Sequence, residues 1–460
     1  MKKSLLLSAA AMAILAANAE TKIYTSDELG IIGGVSSNGR YAAIYDDENN
    51  LGYIWDAENP EEFKLIDGVE SGKVELYAVS DNGIAVGAYS VKGTYYYYPC
   101  YVTPDGTVHD LPRVPHTLYT NYATCVNSDA SVITGYMHFN DPDPDIPGKY
   151  TPAQWFRNED GEYDVVIYND LDLPPHQGFI TTAASEDGRV IAGRLYCAAG
   201  SEIPALVVDG ELKYWNKLET RIEPFIYKGQ ILDYYEEYYI DGFHDGANAE
   251  YFSGQFSDMD AWGNVYGYRT HVEDLNEETG EGKLVMTSCI YNYNDDEWWD
   301  MPNTGGVQGF SCGLNREYMF TRGNRMVVAG EDVDEVKSLT SEFGFSAPMS
   351  ITGVIRCSKD GKVLGANTEL SNPATGEYQY FPMLIVLDEP LVEDPGSGIE
   401  IVKGNDMTLL LSTGRIDIIG GEGYVYDLNG RLAGIGSTIH VAPGAYVVKV
   451  GEATRKVMVK

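Results

Sequence analysis

Basic residues are scarce in this 460-residue chain: 32 Lys and Arg stand against 69 Asp and Glu, a formal charge of −37. Such a surface repels phosphate backbones and anionic lipid, which argues against nucleic acid and membrane surfaces as partners. Histidine is scarcer still, with seven scattered copies, and no HExxH, P-loop or GxSxG spacing occurs. Beyond the first residues no apolar run is long enough to span a bilayer, so no transmembrane segment is expected. The six cysteines contain no CxxC pair, and a chain of this size buries enough core to need no disulfide staples.

What is present points to strands. Hydrophobic residues make up 44% and aromatics 12%, too much for a wholly disordered chain. The 50 Gly and 35 Tyr suit a turn-rich, strand-rich protein, and the length suggests two or three domains or one repeat array. Lys2 and Lys3, the apolar run from Leu5 to Leu15 and the small-x-small triplet Ala17-Asn18-Ala19 read as a secretory signal peptide over residues 1–19. The expected location is therefore outside the cell membrane, at the cell surface or in the medium.

One signature recurs along the middle of the chain: Val35-Ser36-Ser37-Asn38-Gly39, Val79-Ser80-Asp81-Asn82-Gly83, Val126-Asn127-Ser128-Asp129-Ala130, Ala184-Ser185-Glu186-Asp187-Gly188 and Cys357-Ser358-Lys359-Asp360-Gly361, with a looser copy ending at Trp262-Gly263. Asn-Gly and Asp-Gly suit tight hairpin turns because Gly adopts positive φ freely. An apolar run to a second Gly follows: Gly87, Gly135, Gly193, Gly267 and Gly365. A second signature comes next, at Pro99-Cys100-Tyr101-Val102, Pro152-Ala153-Gln154-Trp155, Pro204-Ala205-Leu206-Val207 and Pro382-Met383-Leu384-Ile385. Gly52-Tyr53-Ile54-Trp55 and Ser288-Cys289-Ile290-Tyr291 fill the same slot. With a final strand ending near Leu111, Val166 or Tyr214, each unit holds about four strands, the content of one propeller blade.

The slots are spaced 47, 53, 52, 84 and 94 residues apart. The first three intervals fit one unit each. The last two call for loop insertions or a degenerate unit around Cys312 to Gly330, hence six or seven blades. Cys100 and Cys289 share a slot with Ala153, Ala205 and Met383, and Cys357 one with Val35 and Val79, so these are expected to be buried free thiols. One helix is predicted between Asp332 and Gly344, from a capping box at Asp332 and Glu335 and the spacing of Val333, Val336, Leu339 and Phe343. The repeat resembles the extracellular HAF-type repeats over roughly residues 33 to 388, which implies an exported β-propeller and no particular reaction.

The composition shifts to acids, Pro, Gly and Ser near residues 391–397, read as a linker between a repeat domain over 20–390 and a terminal domain over 398–460. Short alternating strands with turns at Asn429-Gly430 and Pro443-Gly444 make the latter a small β-sandwich. Val425-Tyr426-Asp427-Leu428-Asn429-Gly430-Arg431, the Gly444-to-Val450 strand and the terminal Lys456-to-Lys460 strand resemble the C-terminal sorting domain of type IX secretion cargo. The usual Pro-Asn-Pro opening is replaced by Asp394-Pro395-Gly396. That resemblance implies the export machinery as a partner and places the sorting signal on Gly444, Tyr446, Lys449, Lys456 and Lys460. The fold class expected is thus all-β, a propeller followed by a sandwich.

Sites for chemistry are few. His244-Asp245 has the residues of a base and its orienter, but a neighbouring pair of this kind more often makes a loop contact. Asp141, Asp143 and Asp145 alternate before Gly148, as oxygen ligands around calcium do, yet Pro142 and Pro144 stiffen the loop and no Glu completes it. No catalytic residue and no cofactor is assigned. Tyr95 to Tyr98, Tyr234-Tyr235, Tyr238-Tyr239 and Trp298-Trp299 either fill contacts between blades or stack on sugar rings. The leading functional reading is a binding module for glycans or surface proteins. Its rivals are a lyase or glycosidase using a central cleft, and a scaffold without a ligand. Converging carboxylates in the funnel would favour the enzyme, and an aromatic face without them would favour binding.

Overall fold

A computed structural model describes residues 21–460 except 27, 47–48, 61–62, 67–71, 141–148, 159, 172, 174–176, 198–201, 216–217, 228–229, 241–253, 275, 277–282, 302–308, 331–333, 348, 372–375, 394–399, 404–407, 413–414, 420–422, 428–429, 442–443, 452 and 460. The signal-peptide residues, the Asp141-Asp143-Asp145 loop, His244-Asp245 and Lys460 lie outside the described residues.

The chain enters through β1 (Lys22–Thr25), whose partner comes last. The first sheet is β2 (Ile31–Val35), β3 (Tyr41–Asp46), β4 (Leu51–Asp56) and β5 (Phe63–Ile66). The second is β6 (Lys73–Val79), β7 (Ala85–Ser90), β8 (Tyr97–Val102) and β9 (Val108–Asp110); the third is β10 (Thr117–Val126), β11 (Val132–Phe139), β12 (Lys149–Arg157) and β13 (Tyr163–Ile167), and a parallel bridge, Thr120↔Tyr97, joins these two. The fourth is β14 (Gln177–Ala184), β15 (Val190–Cys197), β16 (Glu202–Val208) and β17 (Glu211–Tyr214). A hairpin of β18 (Leu218–Tyr227) and β19 (Gln230–Ile240) precedes the fifth sheet, β20 (Gln255–Met259), β21 (Asn264–Glu273), β22 (Lys283–Asn292) and β23 (Glu297–Asp300). The sixth is β24 (Phe310–Leu314), β25 (Tyr318–Thr321), β26 (Met326–Val328) and β27 (Glu335–Lys337). The seventh joins β28 (Ser350–Cys357), β29 (Val363–Ser371) and β30 (Tyr378–Val386) to β1, which pairs antiparallel with β30 from Lys22↔Val386 to Thr25↔Met383.

Each first strand packs on the first strand of the next sheet, and β28 packs on β2, so the seven sheets close a ring. The fold is a β-propeller in which the N-terminal strand completes the last blade. The slots at Gly52, Pro99, Pro152, Pro204, Ser288 and Pro382 all fall on the third strand of their sheets, as the repeat phase requires. The carbonyls of Pro99, Pro152, Ser288 and Pro382 accept from Leu111, Tyr168, Met301 and Ser26, all just beyond the outermost strand. A residue's N–H and C=O point the same way in a strand. Proline's missing donor therefore faces the end of the outer ladder, where it leaves no gap inside the sheet.

Both halves of the repeat signature have a physical cause. The Ser hydroxyl oxygen accepts from the N–H that opens the second strand: Ser36 from Tyr41, Ser80 from Ile84, Ser185 from Val190 and Ser358 from Val363, at 2.9–3.0 Å. The Asn or Asp side chain accepts two residues on, as Asn38 does from Arg40 and Asp360 from Lys362. The turn thus satisfies its own backbone donors, with the closing Gly at positive φ (Gly83, +80°). The second Gly answers a β-bulge in the first strand. A Cβ on Gly87, Gly135, Gly193 or Gly267 would meet the carbonyl oxygen of Glu75, Tyr122, Ile180 or Gln255 at 1.8–2.0 Å.

The core sits within and between sheets. Trp55 and Trp155, from the second signature, are fully buried with indole N–H groups donating to Pro60 O at 2.9 Å and Pro112 O at 2.7 Å. Trp298 packs with Trp215, Phe256 and Tyr291 between the fourth and fifth sheets, and Trp299 lies under Arg316, so this pair fills contacts within the propeller. Cys100 and Cys289 are buried free thiols as expected, whereas Cys357 is free but half-buried.

The stretched intervals, whose spacing calls for a loop insertion or a degenerate unit, hold the β18–β19 hairpin and an entire blade, β24–β27, which gives seven sheets. One expectation is corrected. The helix is shorter than its pattern predicts: Glu335–Lys337 pairs with β26 as the outer strand of that blade, and α1 covers Leu339–Glu342 alone. Its cap is Ser338, whose hydroxyl accepts from Ser341 N at 3.2 Å, and pairing to complete a sheet overrides the helical spacing of Val336. No helix among the described residues is long and apolar enough to cross a membrane.

The chain divides into two compact units after Val392. In the second, β31 (Glu400–Lys403), β32 (Thr408–Ser412), β33 (Arg415–Ile419) and β36 (Thr438–His440) form one sheet. The other comprises β34 (Gly423–Asp427), β35 (Leu432–Gly436), β37 (Gly444–Val450) and β38 (Ala453–Val459). Ile416, Ile418 and Ile439 of the first share a core with Val425, Tyr446, Val448 and Val457 of the second, the arrangement of a small sandwich.

Candidate functional site: the central cavity

The first strand of every sheet carries a bulge at the same height. The extra residues are Gly33, Tyr77, Thr124, Thr182, Ser257, Ser311 and Ile355. A bulge turns the side chain of its extra residue out of the alternating pattern, and here all seven line one cavity of about 420 Å³ on the propeller axis. Hydroxyls at these positions stitch neighbouring sheets: Thr182 Oγ1 donates to Phe256 O at 2.6 Å, and Ser311 Oγ donates to Val354 O.

One wall is tyrosine. Tyr77, Tyr122 and Tyr136 line the cavity from the second and third sheets, with ring centroids 5.9 Å and 5.4 Å apart in sequence. The stack continues outward through Tyr150 to Tyr196, and Tyr97 lies parallel to Tyr122 at 5.1 Å. Exposed Tyr96 and Tyr119 add an edge contact at 5.9 Å, so part of the Tyr95–Tyr98 cluster joins this surface. Tyr77 donates to Glu75, which also pairs with Lys73 at 2.6 Å. Burial first, and the Glu75 carboxylate second, hold the Tyr77 and Tyr122 phenols above their ordinary range, so both stay protonated donors.

The other groups are cationic. Arg194, Arg322 and Arg356 line the cavity, and among the described residues no Asp or Glu does. Arg194 Nε lies 3.0 Å from Glu202 Oε1 without a hydrogen bond, while its Nη1 donates to Gln255. Arg356 crosses the axis, donating to Ile355 O at 2.9 Å, Ser311 O at 3.4 Å and Thr182 O at 3.5 Å, with Asp258 Oδ1 3.7 Å from its Nε. Burial raises the Asp258 carboxyl to about 6, against the pull of Arg356. Among the described residues no cluster of His, Cys, Asp or Glu is arranged to hold a metal.

None of the cavity residues was singled out from the sequence beforehand, although a signal was there. In six of the seven sheets the bulged residue stands three places before the first polar residue of its turn, as Tyr77 does before Ser80 and Thr182 before Ser185; Ser311 stands four before Asn315. The charged and aromatic partners come from different sheets, and no local pattern brings them together. Of the residues expected to carry a sorting signal, Tyr446 is buried in the sandwich, Lys449 is exposed on the same strand, Gly444 begins that strand, and Lys456, on the next, pairs with Val447.

The ring of seven four-stranded sheets defines a propeller with a functionalised axis. No family model matches the sequence, and no curated protein matches it either. A solved prolyl endopeptidase aligns with 87% of this chain and 55% of its own at 9% identity and TM-score 0.43. The Dos1 propeller aligns over 76% of each chain at 10% identity and TM-score 0.37, and TolB from Acinetobacter baumannii over 80% and 64% at 10% and 0.32. This chain spans about half the length of the endopeptidase. At these scores the likenesses carry no argument about ligand or chemistry, and the fold assignment rests on the sheet order.

Proposed function

We propose that this protein is an exported binding module that takes a glycan in the central cavity, with the C-terminal sandwich serving its export to the cell surface. The observation that carries the reading is the tyrosine wall: protonated phenols and aromatic faces in a concave site suit sugar rings, which present both C–H faces and hydroxyls. Among the described residues no Asp or Glu lines the cavity, and the neighbouring Asp258 carboxyl faces Arg356, so no pair of carboxylates is set to act as acid and base on a glycosidic bond, which favours binding over the glycosidase or lyase alternative. A ligand-free scaffold has no need of arginines and tyrosines directed to its axis.

A glycan array probed with the mature chain tests this. Binding is expected to be lost in Tyr122→Ala while the thermal transition persists. An array without any ligand, or one whose ligand is held equally by Tyr122→Ala, would remove the cavity as the binding site.

A further inference from the structure

The geometry points to an acidic carbohydrate as the cavity's ligand, with Arg322 as the group that engages its anionic substituent. This inference rests on the glycan-binding reading and narrows it. In a chain where acids outnumber bases 69 to 32, the cavity is lined by three arginines and, among the described residues, by no carboxylate; with Arg194 set against Glu202 and Arg356 against Asp258, Arg322 is the positive charge left over in an otherwise acidic surface. Field lines concentrate in such a recess, and an anion is drawn in from a surface that otherwise repels it.

Two of the three arginines have fixed duties. Arg356 is held across the axis by three carbonyls and Asp258, and Arg194 sits against Glu202 and Gln255. Arg322 is exposed, and its guanidinium has no ion pair or hydrogen bond among the described residues. Its backbone, by contrast, is anchored. Gly323 N donates to Thr352 O at 2.7 Å, and Arg322 pairs with Gly353 in an isolated bridge, which ties the turn after β25 to the first strand of the seventh sheet. An unengaged guanidinium is thus carried on a fixed base at the cavity, across the ring from the sheets that bear Tyr77, Tyr122 and Tyr136. A guanidinium fork matches the two oxygens of a carboxylate or a sulfate, and a sugar ring bearing that group has the tyrosine wall to lie against.

Titration calorimetry on the mature chain tests the inference, with oligogalacturonate, its methyl ester, chondroitin sulfate oligosaccharides and desulfated chondroitin as probes. One of the acidic probes is expected to bind at least tenfold more tightly than the neutral ester at low salt, with the gap closing as sodium chloride rises. Arg322→Ala should remove that gap, and Arg322→Lys should retain part of it. Tighter binding of chondroitin sulfate than of desulfated chondroitin, which keeps the uronate, supports the inference and assigns sulfate as the anion; preference for oligogalacturonate over its ester without such a difference supports it and assigns carboxylate. Equal affinity for acidic and neutral probes, or a gap indifferent to Arg322→Ala, overturns it while leaving glycan binding in place. Absence of binding by every probe, acidic and neutral, overturns both readings.

Discussion

The Arg356 guanidinium reaches from the seventh sheet to the carbonyl of Thr182 in the fourth, 3.5 Å away, across the propeller axis. On its way it passes Asp258 at 3.7 Å, and the pair forms the charged crossing of an otherwise hydroxyl-lined ring. Burial outweighs the arginine in setting the carboxyl at about 6 against an ordinary 3.8.

That shift gives a sign for pH dependence. The folded state binds the Asp258 proton more tightly than the unfolded state does, so between about pH 4 and pH 6 stability falls as pH rises. The full span corresponds to about 3 kcal/mol. Asp258→Asn is expected to flatten the profile of unfolding free energy in that window. A variant with the wild-type slope would mean that other carboxylates carry it.

Breaking the crossing from the other side should be worse. Arg356→Ala leaves a buried carboxyl without its cation, expected to cost about 3 kcal/mol at pH 8, where Asp258 is charged, and much less at pH 4.5. Urea titrations at the two pH values read the difference. Equal losses at both would show that Arg356 contributes packing alone.

The bulges predict which glycines matter. A Cβ at Gly135 meets the Tyr122 carbonyl at 1.9 Å, so Gly135→Ala must flatten the bulge that presents Thr124 to the cavity. A loss of about 3 kcal/mol is expected. Gly376 is the control: φ is +74° with nothing within 4 Å of its added Cβ, so Gly376→Ala costs only the backbone term, about 1 kcal/mol. Matching losses in chemical denaturation would contradict the role given to the bulge.

The blade was legible because its rules are local. A Ser hydroxyl, or the side-chain oxygen of Asn127 or Asp260 in its place, accepts from the N–H that opens the second strand, an Asn amide or Asp carboxylate oxygen accepts within the turn, and a carbonyl at the bulge excludes every side chain but hydrogen from the strand beside it. Where those local needs lapse, the reading lapsed. The sixth sheet turns at Asn315 and Arg316, both at positive φ, and no Gly marks it. Val336 shows helical spacing but is claimed by the edge of β26. The cavity was invisible for another reason: Tyr77, Arg322 and Arg356 come from the second, sixth and seventh sheets and meet only because the first strands of the ring share an axis.

The closing strand makes a separate prediction. The expected processing site after Ala19 leaves Lys22–Thr25 in the mature chain, and Ile23 and Tyr24 pack onto the clusters of the seventh and first sheets. Removing residues 20–26 strips β30 of its outer neighbour and exposes an unpaired edge. About 3 kcal/mol should be lost, from two partly buried side chains and a four-residue ladder, with concentration-dependent association visible by light scattering. A truncated chain that stays monomeric and melts at the wild-type temperature would show that the ring does not need its closure.

The tail is expected to act in export and to leave the propeller's stability alone. The place of the cut decides whether that can be seen. The Leu391 and Val392 amides both donate to the Asp360 carbonyl, at 2.9 and 3.2 Å, and Val392 is buried against the seventh sheet. Deleting 393–460 should therefore keep the melting transition, whereas deleting from 391 should lower it. Within the sandwich, β37 lets the proposed sorting role be tested apart from folding. Tyr446 belongs to the core, and Tyr446→Ala should unfold the unit, costing about 3 kcal/mol or more. Lys449 is exposed on the same strand, so Lys449→Ala should keep the sandwich folded and reduce surface display in a host with type IX secretion. Edge strands of such a sandwich offer unpaired donors and acceptors for strand addition by a translocon. Surface labelling of the 393–460 deletion is the decisive measurement: retention in the periplasm supports the sorting role, and undiminished display at the surface would refute it.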